Sequence, residues 1–492
     1  MVLFVVLASA LSVILAQNIR VSASVAQAKQ FVDYVAQQRT RYIVQLVSYD
    51  WNKDSNTLLL VLKNGSEAVE LNTIYVLADG VLLGHCGELN CVESTPDGKL
   101  LPGEEFNVVA AVPFYPYRIS VSVGRYGVLS FASELNNWHP GCRYRRLVLI
   151  RNPSSSPLPS FQVPVDLDAN FDYARTTSTN ILVTGPDGLT EIPFWTEYWN
   201  VSGNSRVWVR VDLPANDSNY VFLYYGCSST PSYSPSDVFL DDIPDLVAYW
   251  PLDENSGGIT HDVSGNGHDM NVYGATWVAG YRGSGIYLDG GTDSYLIANP
   301  FNGFPSNAIT VIFWMETNDT ANSGTPLSYA TGSNPHDNEF TLYNYQNFRI
   351  YRATTGYTYR QTGVSANDGV IHQITVDWNV DGYTHLYKDG SLAYSGTDLA
   401  TGYSVVDGGA FVVGQEQDSV AGGFQSSQAF VGKIDEIMIF SRVLAASQVQ
   451  EICDEDYFVS PYYPGHLLIR KNDPGVSVDL RPVEAYSEGS NK

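Results

Sequence analysis

Residues Met1 to Ile19 carry no charge, and the run MVLFVVLASALSVILA is almost wholly apolar. Nothing else constrains the folding of this 492-residue chain as strongly. Such a segment cannot stay bare in water, because burying each large apolar side chain contributes roughly 1.5–3 kcal/mol. Three fates satisfy it. A cleaved signal peptide would carry a basic stretch ahead of the apolar run, and the run as written has none. A membrane anchor needs about 20 apolar residues. A polymer core wants a longer helix, and past Arg20 the pattern runs on through SASVAQAKQFVDYVAQQRTR without Pro or Gly. There Val21, Val25, Ala28, Val32 and Val35 recur near the spacing of one helix face. A helix of about 40 residues spans roughly 60 Å, more than a bilayer requires. The expectation is therefore a polymerisation helix over residues 1–41, bundled through Leu3, Phe4, Val6, Leu7, Leu11, Ile14, Leu15, Val21 and Val25. It would sit in the membrane before assembly. Head-to-tail packing does not close on itself, so the expected partner is the chain itself, as a helical homopolymer.

The remainder reads as mainly β. A chain this long divides into several domains. Charged residues make up only 16%, while 42 Gly and 33 Tyr favour short strands joined by tight turns. The net charge of −25 excludes nucleic acid as a partner, since Lys and Arg supply affinity for phosphate backbones. N-x-S/T sequons begin at Asn64, Asn200, Asn216 and Asn318, as expected of an extracellular glycoprotein. Cys86 and Cys91, close together in a Gly/Asn-rich loop, are expected to form a local disulfide clip. No cysteine pattern fits a zinc site.

Three resemblances organise the chain. The uncharged helix leading into YIVQLVS (Tyr42–Ser48), with turns at K-N-G-S (Lys63–Ser66) and A-D-G (Ala78–Gly80), resembles archaeal type IV pilins and archaellins. That implies an immunoglobulin-like sandwich over 42–135. The segment from Trp138, with FWTEYWN (Phe194–Asn200) and VFLYYGC (Val221–Cys227), resembles a domain of unknown function found in microbial surface proteins and is assigned 136–227. Cys142 opens its first strand and Cys227 ends its last, so a bridge between them would fasten the edges, although spacing leaves the connectivity open. Ser228–Asp237 (SSTPSYSPSD) reads as part of a Ser/Pro linker over 228–245. Residues 246–452 carry AYWPLDENSGG, HDVSGNGHD and KIDEIMIFSRVL, and resemble the laminin-G-like, concanavalin A-type jelly roll. Period-2 alternation in Ile309–Met315 and Ile374–Trp378 agrees, and K-D-G at Lys388–Gly390 supplies a hairpin turn. The tail, 453–492, holds two short strand-like runs.

The jelly-roll resemblance implies carbohydrate or protein binding and a structural calcium ion. Asp262 and Asn266 of D-V-S-G-N-G, with Asp435, are the residues expected to hold it, against the plainer reading of a turn without an ion. Tyr343, Tyr345 and Tyr351 would share a face of one strand and could stack on sugars, or simply pack. The histidines are scattered and no H-E-x-x-H or G-x-S-x-G occurs, so no enzyme is expected. The expected function is a subunit of an archaeal cell-surface filament whose outer domains touch glycans or other surface components. The alternatives are a membrane-anchored lectin-like surface protein and a minor tip adhesin.

Overall fold

The computed structural model describes residues 45–485 apart from 53–56, 65–67, 79–80, 87, 94–98, 103, 112–117, 124–127 and 133–137. The polymerisation helix expected over 1–41, with Leu3, Phe4, Val6, Leu7, Leu11, Ile14, Leu15, Val21 and Val25, lies outside the described residues. Within them the chain is almost entirely antiparallel sheet, with helices at Pro235–Val238 and Ala446–Asp454. No helix among the described residues is long and apolar enough to cross a membrane. The chain divides into two compact units, residues 1–138 with 187–189, and the rest.

The first unit contains two four-stranded antiparallel sheets. Alternation sets their inner faces. Along Thr57–Lys63 the residues Leu58, Leu60 and Leu62 are fully buried, and along Glu105–Ala111 it is Phe106, Val108 and Ala110. These strands pair directly, Leu60 opposite Val108. Cys86 and Cys91 form a disulfide at one rim.

The second unit begins with a smaller sandwich. Tyr144–Arg151 and Ser218–Tyr225 pair over eight positions, and Ile181–Thr184 extends that sheet. Leu158–Leu167, Ser205–Leu213 and Phe194–Tyr198 form the facing one. Cys142 and Cys227 are joined. The fourth strand of the first sheet comes from the far end of the chain: Ser477–Ala485 pairs with Tyr144–Arg151.

Residues 228–245 are built into the fold rather than left as a linker. They contain the Pro235–Val238 helix and the strand Asp241–Ile243, which pairs with Leu467–Arg470 of the tail. Aromatic rings fill the seam. Trp208 stacks on Phe458 at 5.2 Å, Phe239 meets Trp195 and Trp208 edge-on, and Leu468 is fully buried among them. Arg282 pairs with Asp456 at 2.6 Å and lies 3.9 Å over Tyr457, tying the tail to the large sandwich as well.

That large sandwich consists of two antiparallel sheets. One runs through Val431–Phe440, Ala308–Glu316 and Ile371–Asn379. The other has the order Ile259–Thr260, Met270–Tyr273, Tyr295–Phe301, Gly409–Val413, Leu327–Ala330, Phe340–Tyr343, Arg349–Ala353 and Tyr357–Gln361. The core between them includes Trp250, Phe301, Phe313, Tyr329, Trp378 and Phe411. The second sheet turns its other face outward, and the site is there.

Candidate functional site

Register fixes which side chains the outer face presents. Leu296, Val413, Leu327, Leu342 and Ile350 lie side by side across the strands and are all buried in the core. Their neighbours must therefore point out. One outward row runs Ile297, Val412, Ser328, Thr341, Tyr351, Tyr359. The middle of that row is covered by the loop that leaves Gly409–Val413 and returns at Val431. Gln417 fastens the loop, donating from Nε2 to Ser328 O at 3.2 Å, Ser328 Oγ at 3.1 Å and Ala410 O at 3.1 Å. Gln415 Nε2 does the same on Gly291 O at 2.7 Å and Ser294 O at 3.0 Å.

Between these two anchors, Glu416 turns toward the hairpin that joins Leu327–Ala330 to Phe340–Tyr343. Asn338 Nδ2 bridges Glu416 Oε1 and Asp337 Oδ1, each at 3.3 Å. Asp337, Asn338 and Glu416 are 2%, 6% and 6% exposed. Asp418 stands at the exposed mouth, accepting from Gln425 Nε2 at 2.7 Å. The arrangement concentrates oxygen and leaves some of it unused. Glu416 Oε2 is buried with no hydrogen-bond partner, and so is Gln428 Oε1 on the returning arm of the loop. Burial, with the charges of Asp418 and Asp337, pushes the Glu416 carboxyl up to about 7.

An unsatisfied buried polar atom costs about 1–3 kcal/mol, and more for a charged one. A hard divalent cation removes that cost here, because carboxylate and side-chain amide oxygens are its preferred ligands. Rotating the Asn338 amide by half a turn would offer its oxygen instead of its nitrogen. Among the described residues no three His, Cys, Asp and Glu form a metal group unaided. The donor set here is mixed, with amides completing what the carboxylates begin.

The hairpin is held rigidly from below. Glu339 is 1% exposed, accepts from Val406 N at 3.2 Å, and lies 3.8 Å from Arg352 Nη1 and against His336 Nδ1. Arg352 is itself fully buried over Trp378 at 3.9 Å, and that burial lowers its pKa to about 10.

The outer face continues past the loop as a ladder of rings. Tyr343 and Tyr351 lie 5.9 Å apart, Tyr351 and Tyr359 4.9 Å, and Arg349 sits 6.0 Å from Tyr343 and 5.4 Å from Tyr359. Tyr359 is 43% exposed. Tyr345 is not part of this face. Asn344, at φ +63°, turns the chain after the strand, so Tyr345 drops into the core beside Phe430 with its hydroxyl on Asp319. Tyr359 takes its place.

The residues expected to hold calcium all carry hydrogen bonds from within the chain. Asp262 accepts backbone N–H groups from Tyr249 at 3.0 Å, Ser264 at 2.9 Å and His268 at 2.9 Å. Asn266 Nδ2 donates to Leu246 O at 3.1 Å and Val247 O at 2.9 Å. Asp435 accepts from Tyr281 N at 2.7 Å and Arg282 N at 3.0 Å. Asp262 and Asn266 hold their own turn, and Asp435, on the strand Val431–Phe440, holds the turn at Tyr281 and Arg282. Among the sequons, Asn64 is 2% exposed and donates to Leu101 O at 3.1 Å, so a glycan there would need that bond broken. Asn200, Asn216 and Asn318 are exposed. Sequence reasoning passed over HDNE (His336–Glu339) and QEQD (Gln415–Asp418), two runs of hard-oxygen side chains that together were the available signal.

The Pentaxin family model matches residues 289–462, and the model described as a domain of unknown function (DUF2341) matches 178–247. The chain is 39% identical over 154 residues to "Sushi, von Willebrand factor type A, EGF and pentraxin domain-containing protein 1" of Rattus norvegicus, covering 30% of this chain and 4% of that protein. It is 32% identical over 162 residues to neuronal pentraxin-2 of Homo sapiens, covering 33% of this chain and 36% of that protein. The chain thus spans only a small part of the first relative and about a third of the second. A looser likeness is to a heptameric SAP-like pentraxin from Limulus polyphemus, with a TM-score of 0.28 and 20% identity, over 39% of this chain and 87% of that one.

These matches correct the sequence reading. The matched family and relatives are pentraxins, so the resemblance to an archaeal pilin or archaellin, the filament-subunit function and the helical homopolymer do not hold. An uncharged apolar run followed by β-domains suits targeting or anchoring as readily as a polymer core, and the pattern alone could not separate them. The concanavalin A-like jelly roll stands, and the family matched within it is Pentaxin.

Proposed function

We propose that this chain is an extracellular, lectin-like binding protein, not an enzyme, whose outer sheet face takes an acidic carbohydrate through a calcium ion. Calcium would be held by Asp337, Asn338, Glu416, Asp418 and Gln428. It would supply a positive centre that sugar carboxylate or hydroxyl oxygens can reach from the mouth at Asp418. Tyr343, Tyr351 and Tyr359 would take the apolar faces of the rings, and Arg349 a further acidic group. The observation that carries this reading is the pair of buried, unpartnered oxygens Glu416 Oε2 and Gln428 Oε1 in one loop. The pentraxin relatives, named for that domain, support the same reading. The two disulfides agree with an extracellular setting.

Titration calorimetry of the full chain with calcium tests the cation, and a glycan array with and without calcium tests the ligand. Saturable calcium binding that Glu416→Gln abolishes, with array signals lost in chelator, is the expected result. Calcium binding unchanged in Glu416→Gln would overturn the assignment.

A further inference from the structure

The tyrosine ladder is not the only aromatic surface beside the loop. On the opposite flank Tyr273, Tyr295 and Phe424 form a second platform, with ring centroids 5.0 Å and 4.9 Å apart in that order. Tyr273 is 46% exposed, although it lies on a strand with core residues on its other face. Phe424 belongs to the cation loop itself, and Ala421 of that loop packs with it on Ile297 and Val412.

The two platforms share one cross-strand row. Tyr273 pairs with Tyr295, and one step along from the buried Leu296, Val413, Leu327 and Leu342 come Tyr295, Gly414, Pro326 and Tyr343. Gly414 N donates to Pro326 O at 2.8 Å, which closes the row in the middle. Tyr295 and Tyr343 are thus three strand spacings apart, about 14 Å at ~4.8 Å each. A single sugar ring cannot reach both. The segment carrying Glu416 and Asp418 starts at Gly414, between them.

We propose that the ligand is an extended acidic polysaccharide chain that lies across both platforms and is tied down at its middle by the cation. This rests on the functional reading above and narrows it from a terminal sugar to a polymer. The protein's net charge of −25 disfavours such a chain, and the cation and Arg349 offset that repulsion along this row. Binding along this row therefore depends on calcium.

The test uses the full chain with galacturonate oligomers, a dimer and an octamer, titrated in calcium. The wild type is expected to bind the octamer at least about 100-fold more tightly than the dimer, since a second contact on one ligand multiplies affinity. Tyr273→Ala removes most of that advantage and leaves the dimer unchanged. Tyr273→Glu, at the same exposed position, removes more. Tyr343→Ala weakens both lengths. Equal affinity for dimer and octamer, or a Tyr273→Ala effect that is absent or equal on both, overturns the polymer proposal and leaves the cation site standing. Binding of neither length in calcium overturns the carbohydrate reading and this proposal with it.

Discussion

Two acidic loops of the large sandwich look alike in sequence and differ in what their oxygens do. In the turn at 262–269, Asp262 accepts three backbone N–H groups, and on the strand Val431–Phe440 Asp435 accepts those of Tyr281, Arg282 and Glu436. In the loop at 414–428, Glu416 has only the shared Asn338 amide on one oxygen and nothing on the other. A carboxylate that its own backbone has already satisfied acts as a staple, since recruiting a cation would mean giving up those bonds. A buried carboxylate with a vacant oxygen sits at a cost until something positive arrives. The presence of acid in a Gly/Asn turn does not mark a site; unmet hydrogen-bonding capacity does.

Swapping the perturbation between the two loops is the sharpest way to break this contrast. Glu416→Ala is expected to lower calcium affinity by more than about 100-fold, because even outer-shell partners of metal ligands are worth about 10- to 100-fold. Calorimetry on Asp262→Ala should return the wild-type affinity. If the two variants exchange these outcomes, the cation belongs to the turn.

Stability should respond the other way round. Asp262→Ala strands three N–H groups, and urea unfolding without calcium should show a loss of about 1–3 kcal/mol. Glu416→Ala removes an orphaned buried charge, so under the same conditions it should be neutral or stabilising. A loss in Glu416→Ala as large as that in Asp262→Ala would mean that both carboxylates are staples.

The smallest effect concerns pH. Burial raises Asp435 to about 8 and Glu436 to about 7, against ordinary values of 3.8 and 4.5. Tyr249, Tyr457, Arg282 and Asp253 are the groups facing them. The folded protein therefore holds protons that the unfolded chain has already released. That stability is fully present below about pH 4 and is lost as pH rises through about 7–8. Unfolding of Glu416→Ala in chelator, with the loop carboxyl removed, should be easier at about pH 8.5 than at about pH 5. A flat profile would show that the backbone donors on Asp435 outweigh its burial.

Much of the fold was legible. The alternation in Ile309–Met315 and Ile374–Trp378 falls on the strands Ala308–Glu316 and Ile371–Asn379, which pair directly. Lys388–Gly390 makes the hairpin turn, with Asp389 and Gly390 both at positive φ. Local signals of this kind survive because backbone sterics and side-chain period act within a few residues. The site was not legible for the opposite reason. Asn338 and Glu416 are 78 residues apart and meet only through register between strands. Likewise Tyr345 shares a period with Tyr343 but lies past a turn that one left-handed residue creates. The tail's partner strand was hidden because an unpaired edge leaves no mark of its own in a sequence.

That tail strand also imposes an order of events on synthesis. The sheet built from Tyr144–Arg151 and Ser218–Tyr225 waits for Ser477–Ala485, which leaves the ribosome about 250 residues after the second of them. At ~5–20 residues per second the interval is on the order of tens of seconds. Throughout it, one side of Tyr144–Arg151 is an open template for any passing strand, including that of a sister chain. The large sandwich emerges during the same interval, and neither of its sheets includes Ser477–Ala485. Until Ser477–Ala485 arrives, the free edge of Tyr144–Arg151 is a place where the growing chain is open to mispairing.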